Sequence, residues 1–226
     1  MRPSLRRQLL HLATDLSALV NDPDDLQHGF DLLTRSYRTP VADAARAALR
    51  SDPTIAPLLA ERYWGRWPDQ QELLAMPTES LGHRFAQWFE AAGGQRLPDP
   101  VLQGDSGDED TWLHRRVRHT HDLWHVVCGC PPTAAGEAAI SAVNVMQLRW
   151  PGSAMLLGAD LLHRCLEGPL RPGPDLGLAV VYGLKLGSIS APLLGQRWEE
   201  GWLRPIAEWR EQLGITAIVA ENPFDA

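Results

Sequence analysis

Asp110-Thr-Trp-Leu-His-Arg-Arg-Val-Arg-His-Thr-His-Asp-Leu-Trp-His-Val-Val-Cys128 contains neither proline nor glycine, and it stops at Gly129 with Pro131 and Pro132 close behind. A glycine just past the last turn with prolines after it is how a helix is punctuated at its C-terminus. The spacing therefore predicts a helix over 110–128. At about 100° per residue, His121 and His125 lie about 40° apart and Asp122 within about 100° of both. Three metal-capable groups share one side of this helix. Thr133 can cap the next helix, and Glu137 then sits in its first turn, where a short helix-turn-helix hairpin folds it back toward the two histidines. Two imidazoles with one or two carboxylates suit Zn²⁺ with an open position, and equally suit Fe²⁺ or Mn²⁺.

Arg118 lies three residues before His121 and His114 seven before it, so His114, Arg118, His121 and His125 form one stripe. A guanidinium one turn from a metal can grip a carboxylate with two hydrogen bonds, and a structural ion pair is the competing use of Arg118. Leu123 and Trp124 are read as core packing. Cys128 and Cys130 are read as small buried side chains rather than thiolate ligands.

Working outward, Leu5, Leu9, Leu12, Leu16, Leu19 and Val20 recur at helical spacing within 4–20, giving an amphipathic helix. Helices are further expected over 26–37, from Pro40 through Leu49, and over 56–64, 70–76 and 77–93. Beyond the hairpin they are expected to about Arg149, then over 154–166, 176–194 and 198–213. The stretch 94–110, rich in Gly, Pro, Asp and Ser, reads as a long surface loop, and 167–175 as a Pro/Gly turn. No strand-like alternation interrupts the pattern. The fold class is all-α, a multi-helix bundle forming a single domain over 1–226 with the metal site on the hairpin.

A chain of 226 residues with 44% hydrophobic and 22% charged residues can build one full core, and it holds no apolar run long enough to span a bilayer. The net charge of −7 argues against a nucleic-acid partner, which calls for a dense basic face. Three cysteines make no disulfide framework and suit a reducing cytoplasm. His11 and Asp15 interrupt any signal-peptide core, so a cytoplasmic location is expected.

His121-Asp122-Leu-Trp-His125, then eleven residues and Glu137, resembles the signature of the coenzyme Q biosynthesis protein four family of the ubiquinone pathway. The likeness extends to Leu73-Leu-Ala-Met-Pro-Thr-Glu-Ser-Leu-Gly82 and to Arg116-Val-Arg118. It continues in Trp198-Glu199-Glu200 through Pro205 to Arg210-Glu-Gln-Leu-Gly-Ile215. Val117 stands where the family usually has an aromatic, and His119 where an acid or amide is common.

The resemblance implies an all-helical, membrane-associated protein that binds a divalent metal, zinc first, through His121, Asp122, His125 and Glu137. It also implies action at ring carbon 1 of a polyprenylated 4-hydroxybenzoate, removing the carboxyl group with or without coupled hydroxylation. Arg118 would orient that carboxylate, and Glu137 would serve in catalysis as well as ligation. A non-catalytic organiser holding a lipid intermediate is the alternative, as is an enzyme of the same family acting on another hydrophobic substrate. A His-Asp metal hydrolase, with His163 as an extra ligand, is a third reading. The expected partners are a polyprenylated aromatic or lipid-like substrate, other quinone-pathway proteins, the inner-membrane surface and a second copy of the chain. The amphipathic first helix with Arg2, Arg6 and Arg7 is the candidate membrane contact.

Overall fold

The computed structural model describes residues 3–23, 25–37, 39–94, 108–166 and 176–224, the side chains of 3–9, 26 and 41 excepted. The described residues are helical with no strand. In chain order they run α1 (Pro3–Asn21), α2 (Leu26–Ser36), α3 (Pro40–Ser51), α4 (Ala56–Glu61), α5 (Gln70–Leu74) and α6 (Leu81–Ala91). These are followed by α7 (Glu109–Cys128), α8 (Ala134–Leu148), α9 (Pro151–Leu166), α10 (Leu176–Ile189), α11 (Ile206–Leu213) and α12 (Thr216–Val219). The starts follow the sequence signals. Asp25, Thr39, Asp69, Ser80, Asp108 and Thr133 each accept a backbone N–H from the first turn they precede, and Asp69 with Glu72 closes a capping box.

α7 is the axis of the molecule, held at three levels. Its acidic first turn, favourable at a helix N-terminus, meets α3: Arg46 pairs with Asp110, and Arg50 with both Glu109 and Asp110. At its middle, Arg116 is fully buried and bonds to the equally buried Glu199 and to the Gln196 carbonyl at 2.9 Å. At its end the last carbonyls, which have no partner within a helix, receive Arg210 Nε on Val127 O at 2.9 Å and the Tyr182 hydroxyl on Cys128 O at 2.5 Å.

α8 and α10 lie closest of all. A Cβ on Gly183 would fall 2.0 Å from the Ala139 carbonyl oxygen, so only glycine allows this backbone contact. One core joins α4 to α8, α10 and the C-terminal segment, and a smaller cluster of Leu12, Leu19, Leu32 and Ala159 lies under α1. α1 thus packs on α2 and α9, and Asp15 is buried against Arg35 at 2.6 Å. The arginines proposed to touch a membrane, Arg2, Arg6 and Arg7, lie outside the described residues or side chains.

Several boundaries differ from expectation. The helix expected over 56–64 stops at Glu61 because Arg62 turns left-handed, with φ 51°. The one expected over 77–93 begins only at Leu81: Ser80 bridges Pro205, and the Leu81 and Gly82 amides bond to Arg204 and Trp202 carbonyls at 2.9 Å. Gly82 lets the two segments approach closely, a Cβ there lying 3.2 Å from the Trp202 carbonyl oxygen. α10 ends at Ile189, not Leu194, because the Gln147 side chain binds the Ser190 and Ala191 carbonyls and the Leu193 amide, and Pro192 disfavours helix at the residue before it. The helix expected over 198–213 is broken: a 3-10 turn (Trp198–Glu200) is followed by Gly201, and α11 starts only after Pro205. Of the loop expected near 94–110, residues 95–107 lie outside the described residues, as does the whole of the 167–175 turn.

Candidate metal centre

α7 places the imidazoles of His121 and His125 side by side, their ring centroids 4.8 Å apart. Past them Gly129, at φ 70°, terminates the helix in the left-handed conformation, and the Cys130 amide returns to the His125 carbonyl at 2.8 Å. The chain then turns through Pro131 so tightly that a Cβ on Gly136 would lie 1.9 Å from the Pro131 carbonyl oxygen. Thr133 caps α8 through the Gly136 amide at 3.3 Å. These local rules bring Glu137 to the histidines: its carboxylate lies 3.2 Å from His125 Nε2 and 3.7 Å from His121 Nε2. One donor atom from each of His121, His125 and Glu137 falls within 4.8 Å of the others.

Asp122, the fourth residue expected to ligate, stands beside this trio, with its Oδ1 3.2 Å from His121 Nδ1. His121 thus offers Nε2 toward Glu137 while a carboxylate faces its other nitrogen. That is the arrangement that fixes the tautomer and ring angle of a metal-binding histidine.

The carboxylates and imidazoles of the cluster hold one another's charge. Packing around Glu137 would raise its carboxyl, but His125 and His121 outweigh that and hold it down at about 2. Burial pulls His121 down, and the Asp122 and Glu137 carboxylates overcome it and raise the imidazole. His125 is fully buried, and neither ring nitrogen has a hydrogen-bond partner among the described residues; the approach to Glu137 is close but not aligned as a bond. An unsatisfied buried polar group costs about 1–3 kcal/mol. A cation held by Nε2 would satisfy one of them, so the residues present fit a divalent metal with nitrogen and oxygen ligands.

Arg118 continues the stripe. Its guanidinium lies over the Phe30 ring of α2 at 4.2 Å, and its charge depresses both His121 and His114. His114 is buried, edge-on to Tyr37 at 4.9 Å, and burial with the Arg118 charge lowers it to about 4. His163 does not join the centre: on α9, its Nδ1 lies 2.7 Å from the Val20 carbonyl oxygen. Cys128 and Cys130 are buried, as expected, and burial pushes the Cys128 thiol up to about 12, so it stays protonated.

The roles of two residues at or behind the site escaped the sequence reading. Trp88 of α6 covers the His125 ring, and Arg116 uses its charge on Glu199. Neither carries a local signal, since each partner lies far along the chain.

The family model described as Coenzyme Q (ubiquinone) biosynthesis protein Coq4 matches residues 5–218. The mitochondrial ubiquinone biosynthesis protein COQ4 homolog 1 of Culex quinquefasciatus is 27% identical over 226 aligned residues, covering 95% of this chain and 77% of that protein. The mitochondrial ubiquinone biosynthesis protein COQ4 of Lodderomyces elongisporus is 30% identical over 186 residues, covering 78% of this chain and 47% of that one. The chain thus spans about half of the yeast relative and most of the mosquito one. A crystal structure of a candidate ubiquinone biosynthesis protein from Nostoc punctiforme superposes with a TM-score of 0.78 at 27% identity, covering 92% of this chain and 97% of that one.

Proposed function

The chain belongs to the coenzyme Q (ubiquinone) biosynthesis protein Coq4 family, and from that premise we propose that it is a metal-dependent decarboxylase acting at ring carbon 1 of a polyprenylated 4-hydroxybenzoate. The observation that carries this reading is the convergence of His121, His125 and Glu137 beside the cation of Arg118.

His121, His125 and Glu137 would hold a divalent metal, zinc first with iron or manganese also suited, and Asp122 would orient His121 or complete the ligand set. When bound, the metal supplies a Lewis acid that stabilises charge developing on the substrate as carbon dioxide leaves. Arg118 grips the ring carboxylate through charge-assisted hydrogen bonds, and its stack on Phe30 sets the guanidinium plane. Gripping that group beside the trio holds the bond to carbon 1 where charge can be stabilised.

A polyprenyl tail lies in a bilayer, so the protein would dock peripherally on the inner membrane; no described helix is long and apolar enough to cross one. Other quinone-pathway proteins and a second copy of the chain are the proposed partners. A lipid-holding organiser without turnover is the second reading. It is favoured by the exposed Leu178, Val181 and Ile189 of α10 and Leu161, Leu162 and Leu166 of α9.

The test is to incubate metal-loaded protein with a short-chain prenylated 4-hydroxybenzoate carrying carbon-13 in the carboxyl group, in air and without oxygen, and to follow labelled carbon dioxide. Release only in air means oxidative decarboxylation with hydroxylation, and release in both means decarboxylation alone. No release in either, with Glu137→Gln indistinguishable from the parent in cells, leaves the organiser.

A further inference from the structure

The two imidazoles of the trio are held by different means. His121 has the Asp122 carboxylate at its Nδ1. His125 has no such acceptor among the described residues, although its ring is fully buried and its Nε2 is the nitrogen nearest the Glu137 carboxylate. A metal-binding imidazole ordinarily has its ring angle set by a hydrogen bond from the other nitrogen. For His125 something else must set it.

The indole of Trp88 meets that need. Its ring centroid lies 4.8 Å from that of His125, with the planes tilted by 41°. Its Nε1 donates to the Cys130 carbonyl at 3.0 Å, and the Cys130 amide donates to the His125 carbonyl at 2.8 Å. The indole is therefore pinned to the segment that closes α7, with its ring packed against the imidazole. His121 presents a second ring to the same imidazole, inclined by 64° with its centroid 4.8 Å away. Rings packed this closely restrict the rotation of His125 about its Cβ–Cγ bond.

We propose that Trp88 is the positioning residue for His125, aiming Nε2 into the trio by packing its indole against the imidazole. The inference rests on the metal reading above. The experiment compares the full-length parent with Trp88→Leu and Trp88→Phe in three measurements. These are Zn²⁺ affinity by competition with a chromophoric chelator, the visible spectrum of the Co²⁺-loaded protein, and, in metal-free protein, the nuclear Overhauser contact between the Trp88 indole and His125 ring protons.

Trp88→Leu should bind Zn²⁺ about tenfold to a hundredfold more weakly, the range found when groups that orient metal ligands are removed. Its Co²⁺ bands should shift, while circular dichroism shows the helices retained. Trp88→Phe keeps an aromatic ring beside the imidazole but loses the Nε1–H tether to Cys130, so it should recover part of the lost affinity and fall between Trp88→Leu and the parent. Trp88→Leu matching the parent in affinity and spectrum, or Trp88→Phe as weak as Trp88→Leu, would overturn the proposal and leave the metal reading standing. If Trp88→Leu does not fold, the Overhauser contact in the parent decides, and its absence sinks the proposal. A parent that binds neither Zn²⁺ nor Co²⁺ refutes the metal reading itself, and the role proposed for Trp88 with it.

Discussion

Glu199→Ala should be among the most destabilising single changes in this molecule. Both Arg116 and Glu199 have fully buried side chains, and Glu199 receives both terminal nitrogens of the guanidinium. Without the carboxylate, Arg116 keeps the Gln196 carbonyl and the Tyr63 and Trp64 rings but has no counter-charge among its described partners, and its charge stays buried. Breaking such a pair by removing one partner costs about 3–5 kcal/mol. In a chain of this size each kcal/mol moves the melting temperature by about 2–4 °C, so a fall of roughly 6–20 °C is expected. The assay is thermal unfolding followed by helical circular dichroism, for the single variant and for Arg116→Met combined with Glu199→Leu. Replacing both charges with apolar groups removes the uncompensated cation, so the double variant should regain most of the loss. A Glu199→Ala protein melting within about 2 °C of the parent would refute the idea that this pair anchors the middle of α7.

His114→Gln should flatten the acid side of the stability profile. Burial, with Arg118, holds folded His114 at about 4 against an ordinary 6.5, so between those pH values the unfolded chain binds a proton the folded one refuses, and stability falls as pH drops. The window is worth about 3 kcal/mol, and urea unfolding at pH 7 and pH 4.5 checks it; an equal pH loss in parent and variant contradicts it. Arg118→Ala should keep the metal but weaken a benzoate-type carboxylate ligand about tenfold or more by calorimetry, and unchanged affinity would assign Arg118 to packing on Phe30. Gly183→Ala drives a methyl into the Ala139 carbonyl and should cost about 1–3 kcal/mol in urea unfolding. A neutral result there would mean that α8 and α10 part easily.

Local chemistry made much of the fold readable in advance. Thr39-Pro40, Thr133 and Gly129 act on their immediate neighbours, so the limits of α3, α7 and the start of α8 follow from the chain itself. The C-terminal third was harder because distant groups set it. Gln147 holds the residues after Ile189, and the Gly82 amide takes the Trp202 carbonyl.

The segments that carry the family resemblance meet in space: 73–82 against 202–206 through the Ser80–Pro205 bridge, and Arg116 against Glu199. No spacing rule reveals those meetings. At the site, the histidine pair and Glu137 were legible because a helix period and a short capped turn bring them together. That Asp122 faces His121 rather than His125 depends on rotamers, and Trp88 arrives from another helix, so neither detail was legible.

The most direct test of the account is elemental analysis of protein purified without chelator, alongside His121→Ala, His125→Ala and Glu137→Ala. The parent should carry one equivalent of a divalent metal per chain. Both histidine variants should lose that metal and the Glu137 variant should retain it weakly, with helical circular dichroism preserved in all three. A parent with no bound metal, or histidine variants that retain a full equivalent, would contradict it.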